Sequence, residues 1–179
     1  MKHKNIFFII PHFARSGPTR QLYYLIKELQ SQFNIEIYCV LPEKSGSIKS
    51  EFEKFNIKIN ASNKKNFLKN WIKLVFFNFN SKDKLFHSYG LVPDILSFLL
   101  LPKRKWICVA RNYPKDDYPD KFGPLKGSFL AMLHLFTHKR CKNLITCSES
   151  LSERYNLLEI KNIAIQNSVN ISALTEYTK

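Results

Sequence analysis

The sequence predicts an α/β fold with a mainly parallel sheet of six or seven strands and helices on both faces. Short apolar runs rich in β-branched and aromatic residues alternate along the chain with segments whose apolar residues recur at helical spacing. The first two runs, Asn5–Ile10 and Ile35–Leu41, flank one such helical segment. They therefore predict a βαβ unit, in which the two strands are parallel.

The same alternation continues after this unit. Further strands are predicted at Asn56–Ile59, Lys84–Gly90, Trp106–Ala110 and Asn143–Cys147. Helices are predicted at Ile48–Phe55, Lys64–Phe79, Val92–Leu101 and Leu125–Lys139. In the last of these helices the predicted buried stripe consists of Phe129, Met132, Leu133 and Phe136.

Composition limits the class of protein. The chain has 179 residues, which is one domain's worth, and 45% of them are hydrophobic, which excludes a disordered chain. The four cysteines have no close pairing and predict reduced thiols in a cytoplasmic protein. The first apolar run ends at Pro11 without a cleavage site, so it predicts a strand rather than a signal peptide.

The charge balance predicts an anionic partner. Twenty-eight basic residues stand against fourteen acidic ones, giving a net charge of +14. Four lysines of the Lys64–Phe79 segment lie largely away from its apolar residues, so this helix could lie on an anionic membrane, although its place between the third and fourth strands favours a helix that covers the sheet. The alternatives are a sheet-covering helix with a solvated lysine face, and a charge that only solvates the surface.

The loop after the first strand is the first candidate binding site. It contains Gly17 and leads into a helix that Ser16 can cap, so backbone N–H groups and the positive end of the helix dipole converge there. The chain has no GxGxxG motif and no Walker lysine, so the sequence supports neither a dinucleotide fold nor a P-loop ATPase.

This opening resembles that of the family-4 glycosyltransferases. The turn Ser16-Gly17-Pro18-Thr19-Arg20 and the helix end Lys27-Glu28-Leu29 match a Gly-Gly-Ala-Glu-Arg-like turn and a Lys-Glu-Leu-like run in spacing. Later landmarks in the same order are Leu85–Gly90, Ala110–Pro114 and Ile163–Asn170. The resemblance covers residues 5 to 170 and implies the Rossmann-like N-terminal half of a two-domain GT-B enzyme.

The resemblance also implies roles for individual residues. Ser16, Gly17 and Arg20 are expected on the donor-phosphate side, and Arg111, Asn112 and Tyr89 at the acceptor. His87, Asp116 and Asp117 are the candidate catalytic residues, since a carboxylate or a histidine could assist deprotonation of the acceptor. For His87 the alternative is a strand-end histidine satisfied by the backbone.

Two metal sites are weaker alternatives. Asp117 and Asp120 are paired carboxylates in the polar segment Arg111–Gly127, which is predicted to be an irregular loop. His134, His138 and Cys141 have metal-ligand spacing, but without a carboxylate between them they are interpreted as a surface coincidence. The expectation is therefore no metal and no cofactor, with the nucleotide-sugar as a substrate.

The expected function is that of the acceptor-binding half of a sugar transferase in cell-surface polysaccharide synthesis. Residues 1–170 are predicted to form its domain, and residues 171–179 to begin a linker to a donor-binding domain that this chain lacks. The resemblance is to a hexosyltransferase, but whether the chain alone is an enzyme stays open.

The expected partners are a nucleotide-sugar donor, a lipid-linked or saccharide acceptor, an anionic membrane surface and a separate donor-binding subunit, with no nucleic acid. The expected location is the cytoplasm, including its membrane face. The alternative from another class is a non-catalytic basic module, or an inactive fragment, that attaches to nucleic acid or to a partner protein.

Overall fold

A computed structural model describes residues 5–43, 45–62, 84–101 and 105–167 of the chain. It contains a seven-stranded sheet in which every neighbouring pair of strands is parallel. The strand order is β3-β2-β1-β4-β5-β6-β7. The strands are β1 (Asn5–Ile10), β2 (Asn34–Pro42), β3 (Lys58–Ser62), β4 (Lys84–Tyr89), β5 (Trp106–Ala110), β6 (Asn143–Thr146) and β7 (Ile163–Ala164).

Six helices connect these strands in the described parts of the chain. They are α1 (Gly17–Leu29), α2 (Lys49–Phe52), α3 (Leu91–Leu100), α4 (Pro114–Phe122), α5 (Pro124–Arg140) and α6 (Glu149–Asn156). The predicted helix Lys64–Phe79 lies outside the described residues.

The two faces of the sheet carry separate apolar cores, because successive side chains of a strand point to opposite faces. In β1, Phe8 belongs to the core that contains Leu22 and Ile26 of α1. Its neighbours Phe7 and Ile9 belong to the core that contains Leu135 of α5. The structure therefore confirms the predicted α/β class, with an all-parallel, Rossmann-like sheet and helices on both faces.

Helix α5 buries a different side from the predicted one. Phe129 and Met132 are 66% and 67% exposed, and Leu133 and Phe136 are exposed as well. The buried residues are Gly127, Ala131, His134, Leu135, Thr137 and His138. The prediction was wrong because it counted His134 and His138 as surface residues, whereas buried hydrogen-bond partners on other elements satisfy both rings.

The segment Arg111–Gly127 is helical rather than an irregular loop. Pro114 is among the first residues of α4, where its missing N–H costs nothing, and Asp116 and Asp117 lie in the first turn, where negative charge is favourable. Gly123, at a φ of +82°, ends α4 and lets α5 begin at once. These local signals outweigh the high content of proline and charged residues that suggested a loop.

Helices α4 and α5 form a tightly packed hairpin. A Cβ atom on Gly127 would lie 2.3 Å from the backbone oxygen of Tyr118 and 2.5 Å from the backbone of Pro119. Only glycine allows the two helices to approach this closely. Among the described residues, no helix is both long and apolar enough to cross a membrane.

Candidate functional site

The main cleft lies at the carboxyl edge of the sheet, where β1 and β4 lie side by side. The strand order reverses direction between them, and open parallel sheets bind ligands at such a switch point. The cleft has a volume of about 440 Å³. Its walls come from the loop after β1, the start of α1, and the ends of β4 and β5, so the parallel fold brings together residues that are distant in sequence.

The N-terminus of α1 forms one wall. Ser16, Gly17 and Thr19 line the cleft, and Ser16 stands at the N-cap position without a side-chain bond to the helix backbone. Its hydroxyl instead contacts Thr19 Oγ1 at 3.0 Å. Apart from its chain neighbours and the backbone of α1 itself, no atom of the described residues lies within 4 Å of the position of a Cβ on Gly17. The first N–H groups of a helix have no partner within the helix, so this helix start, with open space beside Gly17, suits an anion.

Arg111 and Tyr89 form the opposite wall. The Arg111 guanidinium carbon lies 4.9 Å from the centre of the Tyr89 ring, and burial raises the pKa of Tyr89 to about 12. Asn112 lines the cleft beside them. Five of the predicted site residues are thus brought together here: Ser16, Gly17, Tyr89, Arg111 and Asn112.

Two polar atoms at the cleft have no hydrogen-bond partner within the described parts of the chain. They are Arg111 Nε, a donor, and Gln21 Oε1, an acceptor, and both are buried. Both residues line the main cleft. Because an unpaired buried polar group costs free energy, these two atoms favour a ligand with hydrogen-bonding groups of its own.

Arg20 does not line this cleft. Its guanidinium donates to a carboxylate oxygen of Glu51, in an ion pair that joins α1 to α2. Sequence spacing placed it beside Ser16 and Gly17, but successive residues of a helix point to different sides, so Arg20 reaches α2 while its neighbours Thr19 and Gln21 line the cleft.

His87 is half-buried on the α1 side of the sheet, where it lines a second cavity of about 500 Å³ next to Tyr89. Its ring centre lies 4.6 Å from that of Tyr89 and 5.4 Å from that of Phe8. Burial lowers the pKa of His87 to about 3, and the nearby charge of Arg111 acts in the same direction. A base this weak gains little by taking a proton from a sugar hydroxyl at neutral pH.

The low pKa of His87 predicts acid sensitivity. Its ring stays neutral in the folded protein but takes up a proton near pH 6.5 in the unfolded chain, so stability is lost as the pH falls below 6.5. Between pH 7 and pH 5 this loss amounts to about 2 kcal/mol. We expect His87→Phe, measured by urea unfolding at both pH values, to lose that much less stability on acidification than the wild type. An equal loss in both proteins would contradict the burial of a neutral His87.

Asp116 and Asp117 lie on α4 and line a third, shallow cavity together with Arg111. Asp116 accepts two hydrogen bonds from Arg154, which lowers its pKa, and Asp117 pairs with Lys121 at 2.7 Å. Lys121 thus already neutralises Asp117, which does not suit a metal site at Asp117 and Asp120. Neither carboxylate lines a cavity together with His87.

A buried polar network lies beneath the main cleft, centred on Asp94 of α3. Asp94 Oδ1 accepts a hydrogen bond from Ser88, whose oxygen accepts one from Trp106 Nε1 at 2.7 Å. Asp94 Oδ2 lies 2.8 Å from His134 Nε2 and 3.4 Å from His138 Nε2. The carboxylate is fully buried, and although burial alone would raise its pKa, the two histidines hold that pKa below its usual range.

Sequence reasoning did not assign a role to Asp94 or Ser88. The available signal was an aspartate within the apolar helix LVPDILSFLL, where a charged residue costs free energy unless it is paired. The histidines four residues apart on α5 were noticed, but their interpretation as a surface coincidence was wrong: His134 and His138 are 4% and 1% exposed. Both also line the floor of the main cleft, with Tyr118.

Comparison with solved structures identifies a protein of the same fold. The chain is similar to HepE from Anabaena, whose crystal structure is in complex with UDP and glucose, with a TM-score of 0.61 and 14% identity. The match covers 98% of this chain and 49% of HepE, so the chain spans about half the length of that protein. No family model and no curated protein matches the sequence. At this identity the likeness shows that the chain has the fold of one half of HepE.

Proposed function

We propose that this chain is the acceptor-binding half of a sugar transferase. The reaction would move a sugar from a nucleotide-sugar to a lipid-linked or polysaccharide acceptor, in cell-surface polysaccharide synthesis. The single observation that carries the proposal is the cleft at the β1/β4 switch point. There the uncapped N-terminus of α1 faces Arg111 and Asn112 across a volume that suits a small polar ligand.

The α1 wall is the donor side in this proposal. Ser16 and Gly17 present backbone N–H groups to the donor phosphates. For Arg20 to act on this side, its guanidinium would exchange Glu51 for a donor phosphate. Anion stabilisation here would promote transfer because the leaving nucleotide carries developing negative charge in the transition state. UDP and glucose, the two parts of a nucleotide-sugar, are bound by HepE.

The Arg111 wall is the acceptor side. Arg111, Asn112 and Tyr89 would hold the acceptor, and the unpaired Arg111 Nε supplies a hydrogen-bond donor for it. For deprotonation of the acceptor we favour Asp116 or Asp117 over His87, because both aspartates line a cavity with Arg111 and Asn112 of the acceptor side.

The remaining parts of the nucleotide-sugar site would come from a donor-binding half. Because the match covers 49% of HepE, the proposal places that half in a further domain or in a separate subunit. Binding between the two halves would close the cleft over the substrates and exclude water.

A UDP titration of the purified chain tests this proposal, with backbone amide shifts recorded by NMR. We expect weak, saturable binding with shifts concentrated at Ser16–Thr19 and Arg111–Asn112. Shifts confined to other surfaces, or none at millimolar UDP, would contradict it.

The exposed face of α5 supports the anionic membrane surface as a partner. This α5 face consists of Leu125, Phe129, Met132, Leu133 and Phe136, of which Leu125 is 89% exposed. Helix α5 contains no acidic residue, and Lys126, Lys139 and Arg140 are exposed on it. An exposed apolar face with cationic neighbours suits the headgroup region of an anionic bilayer.

Liposome co-sedimentation tests the membrane partner. Burying two phenylalanine rings contributes about 3 kcal/mol, so Phe129→Ser with Phe136→Ser is expected to lower partitioning into anionic vesicles more than tenfold. Each cation near the surface adds about 1 kcal/mol, so binding should weaken with salt and on neutral vesicles.

A second variant separates α5 from the lysine-rich segment. This variant reports on the contribution of the lysine-rich segment alone, because only four lysines of that segment are changed to glutamine: Lys64, Lys65, Lys69 and Lys73. Binding that ignores lipid charge and both sets of changes would contradict the membrane proposal. Tight binding to DNA with none to vesicles would instead favour the nucleic-acid alternative.

A further inference from the structure

The core beneath the cleft contains an unusual concentration of metal-binding side chains. Asp94 of α3, Cys108 of β5 and His138 of α5 are all fully buried, and their potential ligand atoms lie within 4.8 Å of one another. His134 lies beside them, with its Nε2 2.8 Å from Asp94 Oδ2. Carboxylate, thiol and imidazole are the donors that zinc takes in proteins.

The two histidines present the same nitrogen to the same point. Nε2 of His134 and Nε2 of His138 both face Asp94 Oδ2. Nδ1 of His134 lies 2.6 Å from the hydroxyl of Tyr118, and Nδ1 of His138 lies 2.8 Å from the hydroxyl of Tyr155. In metal sites the second nitrogen of a ligating histidine is held in this way, which fixes the ring and leaves the other nitrogen for the ion.

One separation within the group already matches that of a tetrahedral site. Zinc bonds of 2.0 to 2.3 Å place neighbouring ligand atoms about 3.3 to 3.7 Å apart. The separation of His138 Nε2 from Asp94 Oδ2, 3.4 Å, already has this value. The distance from His134 Nε2 to Asp94 Oδ2, 2.8 Å, would increase by about half an ångström when an ion with these bond lengths enters.

The charge of the site also favours a cation. The Asp94 carboxylate has no exposed surface, and its partners are a serine hydroxyl and two imidazoles. Within the described ranges no lysine or arginine forms an ion pair with it. A divalent ion would provide the charge that a buried carboxylate otherwise lacks.

We propose that Asp94, Cys108 and His138 bind a zinc ion, and that the side chain of His134, which lies beside Asp94, moves toward the ion as the fourth donor. With four protein donors the site is closed, as structural zinc sites are, and it would tie α3, β5 and α5 together under the cleft. His134 and His138 line the cleft floor, which gives the ion a route from solvent. This inference is independent of the proposed sugar transfer.

The test uses the purified full chain, incubated with zinc chloride and then dialysed. Elemental analysis is expected to find about one zinc per chain. Cys108→Ser and His138→Gln should each retain at least tenfold less, while Cys39→Ser, a buried cysteine outside the cluster, should retain as much as the wild type. Zinc should also raise the unfolding temperature of the wild type, and a chelator should reverse that rise.

A cobalt titration of the wild type avoids reliance on variants that fail to fold. Bound cobalt is expected to show a thiolate-to-metal absorption band that zinc abolishes. If the chain retains less than a tenth of a zinc ion, with no cobalt band and no thermal shift, these side chains form only a hydrogen-bonded network. That result would overturn the proposal. Equal zinc in the wild type, Cys108→Ser and His138→Gln would place the metal elsewhere and overturn it as well.

Discussion

The purified chain by itself is expected to transfer no sugar at a measurable rate, from any of a panel of nucleotide-sugars to lipid-linked or saccharide acceptors. The reason is that this chain supplies only one of the two sides that we propose for the nucleotide site, the start of α1, whereas stabilising the leaving nucleotide in the proposed reaction needs groups on both sides. Loss of one half of such a site removes both positioning and charge stabilisation, which together account for many powers of ten in rate. The measurement is product formation followed by mass spectrometry.

The positive control for this prediction is a mixture of the chain with a donor-binding half. Addition of a donor-binding half, encoded in the same or a neighbouring reading frame, should restore transfer, and restoration should fail with Arg111→Ala. Robust turnover by the chain alone would show that the active site lies elsewhere in the molecule.

Gly127→Ala is expected to destabilise the protein by about 3 kcal/mol, at the upper end of the usual cost of overpacking. The added methyl group would meet backbone atoms of Tyr118 and Pro119 at 2.3 to 2.5 Å, and backbone cannot rotate away as a side chain can. The hairpin of α4 and α5 would have to open, although alanine is the better helix former by about 1 kcal/mol. Urea unfolding at neutral pH measures the difference.

Ser128→Ala is the matched control, because Ser128 is the exposed neighbour of Gly127 on the same helix. It should change the free energy of unfolding by no more than about 0.5 kcal/mol. A Gly127→Ala protein as stable as this control would contradict the close packing of the two helices.

The fold could be predicted from sequence because its signals are local and repeated. Each strand is a short apolar run, and in α1 the buried residues Leu22 and Ile26 follow helical spacing. The order of these elements fixes a parallel sheet once right-handed crossovers are assumed. The position of the cleft could be predicted as well, because the carboxyl ends of the parallel strands β1, β4 and β5 lie at the same edge of the sheet.

What sequence could not predict was the orientation of α5. Its apolar residues are plentiful enough to form a stripe, so the side with Phe129 and Met132 was expected inside. Burial of the other side depends on Asp94, Tyr118 and Tyr155, which reach His134 and His138 from three other helices. Such long-range pairing leaves no periodic trace in one sequence.

The sequence pattern also could not predict the roles of individual site residues. Strand alternation places His87 and Ser88 on opposite faces, so the same strand, β4, sends one side chain toward α1 and the other toward Asp94. Spacing alone gave no sign that Arg20 would pair with Glu51, 31 positions later.

The most direct test of the proposed cleft is the UDP titration repeated with Gly17→Ala. Apart from the chain neighbours of Gly17 and the backbone of α1 itself, no atom of the described residues lies within 4 Å of the added methyl group, so the free energy of unfolding should not fall. The methyl would nevertheless stand where the phosphates must approach the backbone, and Gln30→Ala at the other end of α1 is the control. The account predicts at least tenfold weaker UDP binding for Gly17→Ala and unchanged binding for Gln30→Ala; equal affinity in all three proteins would contradict it.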